Sequence, residues 1–345
     1  LHSGDHAVNY GATILDAEGL RLNADEKALF RDADPFGFIL FGRNIDSAEQ
    51  IRALCSDFRE AVGRDCMITI DQEGGRVQRL RPPLARNWLP PLDHVARAGE
   101  NAERAMYLRY RLIAAELRDL GIDSNCAPML DLAGDDTHAF LHNRCYGGAA
   151  ETVSRLGRAV ADGLLAGGVL PVVKHMPGHG RATLDSHHDL PHVAATADML
   201  DVTDFAPFRA LNDLPLGMTA HIVLDKIDPR PATVSPVVMQ LIRERIGFQG
   251  LIMTDDISMK ALAGTIAEKT AQAIAAGCDI ALVCNQTLKD REAAVHAAGR
   301  LTEQAQARAE RALAQRQKPA ELDIPAVEAE LSRLMGGQVY DGQPL

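Results

Sequence analysis

"VLPVVKHMPGHG" (169–180) runs through five apolar residues and ends, with no intervening turn, in a lysine and a histidine. A segment apolar on both faces suits a parallel strand covered by helices on each side. Pro177 and Gly178 stop the strand one residue after the charged pair. The stretch therefore reads as a buried strand whose C-terminal end carries function.

Seven further segments share its character: "ATILD" (12–16), "GFILFG" (37–42), "CMITID" (66–71), "APMLDL" (127–132), "LGMTAH" (216–221), "LIMTDD" (251–256) and "IALVCN" (280–285). Helical patterns lie between them. One begins at Ser47, with Glu49 and Gln50 in its first turn. Another starts at Asn101 and stops at Gly121, and others span 150–166, 204–213, 236–246, 258–276 and 289–317. Eight strands, each followed by a helix, predict an α/β fold of the single-domain (β/α)8 TIM type. A doubly wound open sheet is the competing architecture, but it usually has fewer strands and a single switch point. The barrel is expected over 1–317. Residues 318–345 read as a Pro-rich linker and a short helix packed on its outside. No internal repeat or low-complexity tract interrupts the pattern.

Asp16, Asp71, Asp131, Lys174-His175, His221 and Asp255-Asp256 all fall at or just past C-terminal strand ends. In a barrel that rim is where active sites are built. Some of these residues would serve equally well as caps of the next helix, Asp16 and Asp131 above all. Lys174-His175, after a wholly apolar run, fits that plainer role badly.

Composition narrows the partners. The chain has 345 residues, 46% hydrophobic and 24% charged, with a formal net charge of −11. An acidic surface without a Lys/Arg-rich block repels phosphate backbones, so no nucleic acid is expected. No apolar window approaches the length of a membrane span. The N-terminus lacks a basic segment followed by an apolar run, so no export signal is expected. The six cysteines form no C-x-x-C pair and read as reduced core thiols of a cytoplasmic protein.

A rim of carboxylates with a few arginines and lysines suits a neutral polyol such as a sugar. Retaining glycoside hydrolysis needs a carboxylate nucleophile and a proton donor for the leaving oxygen. One of Asp255 and Asp256 can face the barrel axis and supply the first, while the other caps a helix beginning near Ser258. A histidine with an orienting carboxylate can supply the second, because its ordinary pKa lies near neutrality.

"ILFGRN" (39–44), "ITIDQEGGRVQRL" (68–80), "LGIDSNCAPMLDL" (120–132), "KHMPGHG" (174–180), "DSH" (185–187), "MTAHI" (218–222) and "MTDDISM" (253–259) occur in that order. Together they resemble glycoside hydrolase family 3, and within it the compact bacterial cytoplasmic β-N-acetylglucosaminidases of peptidoglycan recycling. Such members usually carry Phe where this chain has Met176. The resemblance implies Asp255 as nucleophile and an acid/base dyad of Asp185 and His187. It implies Asp71, Arg79, Arg144, Lys174 and His175 as sugar contacts. It implies no cofactor and no metal, and a muropeptide, N-acetylglucosaminyl-anhydro-N-acetylmuramic acid, as substrate. The "PGHG" turn is expected to lead into a loop that carries the dyad over bound sugar.

Three other readings compete. Four of the twelve histidines lie between 174 and 191, which raises a metal site, although no zinc-type spacing such as H-E-x-x-H is present. A sugar-binding barrel without turnover needs no nucleophile. A related β-glucosidase is a further reading, as is a phosphorylase in which phosphate replaces water, since a histidine acid/base lowers charge repulsion with phosphate. His179, His188 and His192 receive no role.

Overall fold

The computed structural model describes residues 9–342. The expectation about the extreme N-terminus therefore falls partly outside the described residues, as do the outer ends of the two proposed segments. Seven of the eight expected strand segments are present, and the remaining strand lies just upstream of its expected place. The eight are β1 (Gly11–Leu15), β2 (Pro35–Leu40), β3 (Met67–Ile70), β4 (Ser124–Asn125), β5 (Leu170–Met176), β6 (Leu216–Thr219), β7 (Leu251–Met253) and β8 (Ala281–Leu282). Every pairing among them is parallel, and they form two four-stranded sheets, ordered β8-β1-β2-β3 and β7-β6-β5-β4. The expected single eight-stranded sheet is thus divided in two. Backbone bonds nevertheless cross both seams. The N–H groups of Asp123 and Cys126 donate to the carbonyls of Ile68 and Ile70, and Ile280 exchanges bonds with Ile252 and Thr254.

Alternation along the strands explains why they are apolar throughout. Ile14, Ile39, Leu170 and Val172 enter one core, while Leu15, Phe38 and Val173 enter the other, packed under the helices. Lys174 continues the face of Leu170 and Val172. The pairing of β5 with β6 slips between Val173 and Met176. Such a bulge re-aims side chains, and both Lys174 and His175 reach one pocket.

Several boundaries differ from the sequence reading for physical reasons. Strand 127–132 is replaced by Ser124–Asn125, with a lone bridge at Met129, because Pro128 has no N–H to give a ladder. The helix expected from Ser258 begins at Ile266, where Thr265 and Glu268 form a reciprocal capping box. The segment 289–317 is two helices, Leu288–Ala298 and Glu303–Ala314, separated at Gly299 in the left-handed region. Residues 204–213 form only a short helix, Ala206–Ala210, preceded by Ala197–Val202. Helices 48–62, 102–119 and 150–166 fall where the periodicity puts them.

The C-terminal helix Ile324–Leu334 packs on helix 102–119 through an Arg104–Glu330 pair at 2.8 Å. Arg86 reaches Glu328 at 2.7 Å, and Tyr340 meets Trp88 edge-on. All six cysteines are buried and unpaired. Among the described residues no helix is long and apolar enough to cross a membrane.

The chain leaving β5 passes very close to the segment after β4. A Cβ added at Gly180 would lie 2.1 Å from the carbonyl oxygen of Leu132 and 2.8 Å from its nitrogen. Gly180→Ala should therefore push the two segments apart and cost about 1–3 kcal/mol. The measurement is the urea midpoint, which should fall with an unchanged m value; an unaltered midpoint would show that this approach is not tight in solution.

Candidate active site

A cavity of about 570 Å³ opens at the C-terminal ends of the strands. Asp71, Arg79, Arg144, Lys174, His175, His187 and Asp255 all line it. Of the eight site residues that the resemblance implies, only Asp185 is absent from the wall. It stands behind His187, accepting from the His187 N–H at 3.0 Å and pairing with its Nδ1 at 2.7 Å.

The floor is a buried charge network. Lys174 Nζ sits 3.2 Å from Asp71 and 2.5 Å from Glu73. Arg144 grips Glu73 with two parallel bonds of 2.9 and 2.8 Å, and Arg79 donates to Asp71 at 3.1 Å. Burial by itself would raise both carboxyls. Lys174 and Arg79 overcome it at Asp71 and hold that group well below its usual range. Arg144 and Lys174 overcome it at Glu73, which is brought down to about 2. Burial disfavours the charged Lys174 ammonium, but Glu73 and Asp71 outweigh it and raise its pKa. Two anions thus face three cations, leaving spare N–H donors at the cavity floor. Glu73 escaped the sequence reading. Its signal was present, since Asp71 and Glu73 are two apart in an extended segment and so share a face.

The nucleophile candidate is Asp255, on the loop after β7. The Asp256 N–H donates to its Oδ1 at 2.8 Å, and its Oδ2 lies 3.9 Å from His175 Nε2. Burial acts to raise its pKa, but His175, His221 and the Asp256 N–H together lower it. Asp256 behaves oppositely. Its oxygens accept from Ser258 N–H, Ser258 Oγ and Cys284 N–H, yet burial pushes it up to about 6. Adjacent carboxyls with separated pKa values are a common mark of divided roles. As anticipated, one of the pair works as a cap, although of a turn rather than of a helix. His221 does not reach the cavity wall. Its Nε2 donates to the Asp256 carbonyl at 2.9 Å and its Nδ1 pairs with Thr233 Oγ1, supporting the nucleophile loop from below.

Asp16 and Asp131 are not helix caps. Asn23 caps the helix after β1. Asp16 accepts from Arg43 at 2.8 Å and from the Asn285 N–H at 2.7 Å. Asp131 accepts from the backbone N–H groups of His175 and His179 and pairs with His175 Nδ1 at 2.7 Å. Its signal was an acid at a strand end, which sequence alone could not separate from a cap. His179 also lines the cavity, with Nε2 3.2 Å from Ser186 Oγ. Among the described residues no group of three or more His, Cys, Asp or Glu side chains is arranged to hold a metal ion.

Neutralising Glu73 would leave buried Arg144 without its carboxylate partner and Lys174 with Asp71 alone, so Glu73→Gln should cost about 3–5 kcal/mol at pH 7. The folded-state value near 2 lies below the ordinary 4.5. The carboxylate's stabilisation is then complete above about 4.5 and is lost as pH falls towards 2. Urea unfolding across that window should show a shallower acid decline in the variant than in the parent. A variant as stable as the parent at pH 7 would contradict the network's role.

Comparison with known proteins bears on this geometry. Residues 10–315 match the model of the glycosyl hydrolase family 3 N-terminal domain. A beta-hexosaminidase from Methylococcus capsulatus is 40% identical over 279 residues, covering 79% of this chain and 82% of its own. The crystal structure of NagZ from Neisseria gonorrhoeae superposes with a TM-score of 0.83 at 30% identity, covering 96% of this chain and 97% of that one. That protein has also been solved with N-trifluoroacetyl-D-glucosamine. A family 3 β-N-acetylglucosaminidase from Paenibacillus sp. str. FPU-7 superposes at 0.80 with 31% identity over 97% of this chain; the chain spans 63% of its length. The chain belongs to glycosyl hydrolase family 3, and it is a glycoside hydrolase.

Proposed function

We propose that the protein is a retaining exo-β-N-acetylglucosaminidase that removes non-reducing terminal N-acetylglucosamine from muropeptides in the cytoplasm. One observation carries the reading: a single cavity joins a carboxylate held ionised, Asp255, to an imidazole oriented by a second carboxylate, the His187–Asp185 pair. The beta-hexosaminidase name of the relatives and the glucosamine-derived ligand of the Neisseria protein support the sugar class. The two sheets and their bridged seams are read as one eight-stranded barrel over the described part of 1–317, with the described part of 318–345 strapped outside it.

In this mechanism Asp71, Arg79, Arg144, Lys174 and His175 hold the sugar hydroxyls on the cavity floor. An Asp255 oxygen attacks the anomeric carbon. The glycosidic C–O bond breaks as His187 passes its proton to the leaving oxygen, and Asp185 fixes the ring for that transfer. Neutral His187 then takes a proton from water, which displaces Asp255 and restores the carboxylate. No metal or cofactor takes part.

Asp255→Ala should abolish turnover of an aryl β-N-acetylglucosaminide, and activity within a few-fold of the parent would reject Asp255 as nucleophile. His187→Ala should slow substrates with poor leaving groups by about 10²–10⁴-fold, and activated aryl substrates far less. Equal losses on both would remove the general acid from the scheme. Product analysis with and without phosphate separates hydrolysis from phosphorolysis; a sugar 1-phosphate product would select the second.

A further inference from the structure

His179 is buried beside the cavity, and the sugar-cleaving scheme above gives it nothing to do. Its surroundings are specific. Its own N–H donates to Asp131 Oδ1 at 2.8 Å, and its ring Nε2 meets Ser186 Oγ at 3.2 Å. Ser186 is the middle residue of "DSH". Asp185 closes a tight turn by accepting from both the N–H and the Nδ1 of His187. That turn leaves the His187 side chain 57% exposed, whereas Ser186 is only 2% exposed. The dyad is therefore self-contained, and Ser186 is the residue that faces the body of the protein between its two members. The Phe140 ring stands edge-on to both His179 and His187, at centroid distances of 5.7 and 6.1 Å.

We infer that His179 and Ser186 form a latch that fixes the acid/base dyad over the sugar, His179 and Ser186 being positioning residues rather than catalytic ones. The inference rests on the reading of His187 as proton donor. The latch is tied to the fixed side of the site through one group. Asp131 holds the His179 backbone, and it also holds both the backbone and the Nδ1 of His175, whose Nε2 faces Asp255. A single buried carboxylate thus sets the spacing between the nucleophile's neighbour and the root of the acid/base loop. Burial brings the His179 pKa down to about 4, with Asp131 opposing only in part. Burial thus favours the neutral ring, which can serve as hydrogen-bond partner to the Ser186 hydroxyl.

The test compares an activated aryl β-N-acetylglucosaminide with a β-linked N-acetylglucosamine disaccharide, whose leaving oxygen needs protonation. Ser186→Ala and His179→Leu should each lower kcat/KM on the disaccharide by about 10-fold or more, and on the aryl substrate by less than about 3-fold, a partial loss of general-acid assistance. The double variant should be no worse than the poorer single variant, because both break one contact. Ser186→Thr, which keeps the hydroxyl, should retain parental selectivity between the two substrates. Equal losses on both substrates, no loss on either, or losses that multiply in the double variant would overturn the latch. If His179→Leu fails to fold, Ser186→Ala against Ser186→Thr decides alone. His187→Ala run in parallel separates the two levels. If it discriminates between the substrates and Ser186→Ala does not, the latch alone is wrong. If His187→Ala loses both equally, the acid/base assignment fails and the latch falls with it.

Discussion

The Lys174 ammonium, held between Asp71 and Glu73 at the end of a wholly buried strand, is the constraint around which the site is built. A charge in that position is tolerable only if it is paired and fully hydrogen-bonded. The pairing draws in Arg144 and Arg79 from two other loops. Two connections, the one after β3 that carries Asp71, Glu73 and Arg79 and the one after β4 that carries Arg144, are thereby tied to one strand end. The net excess of donors over acceptors follows from the same arithmetic. It gives a neutral, hydroxyl-rich ligand a preorganised floor without a mobile ion.

The strands and the functional rim were legible in the sequence because one pattern serves both. Segments such as "VLPVVKH" are apolar on each face and charged at one end, and only a buried parallel strand with a working terminus needs both properties. The long helices were legible from their period and their caps. What stayed hidden depended on partners distant in sequence. Asp131 looks like a cap until His175 and His179 fold over it. Glu73 sits within a quoted motif, but its value lies in Arg144, 71 residues away. The start of the helix after β7 was misread because Ser258 is bonded by Asp256 in a turn, while the stronger capping box at Thr265 lies one short loop further on.

The histidine-rich stretch separates into parts with different physical tasks. His175 belongs to the fixed wall, buried against Asp131 and facing Asp255. His187 belongs to an exposed turn closed by Asp185. His179 stands between them, bonded to both sides. His192 pairs with Asp225 on the exposed surface and reaches neither.

A histidine acid also fits the charge balance better than a second carboxyl would. Asp256 shows what happens to a carboxyl beside Asp255: burial, with repulsion from Asp255 adding to it, brings its pKa up to about 6. A second acid placed directly beside Asp255, without the Lys174 and Arg79 partners that keep Asp71 ionised, would be pushed the same way. Neutral imidazole adds no negative charge to the cavity. The carboxylate that orients it, Asp185, is kept outside the wall on the far side of the ring. In the proposed scheme, separating the orienting charge of Asp185 from the reacting one lets Asp255 remain ionised while His187 donates the proton, and the loop position of His187 follows from a floor already occupied by the Asp71–Glu73–Lys174 network.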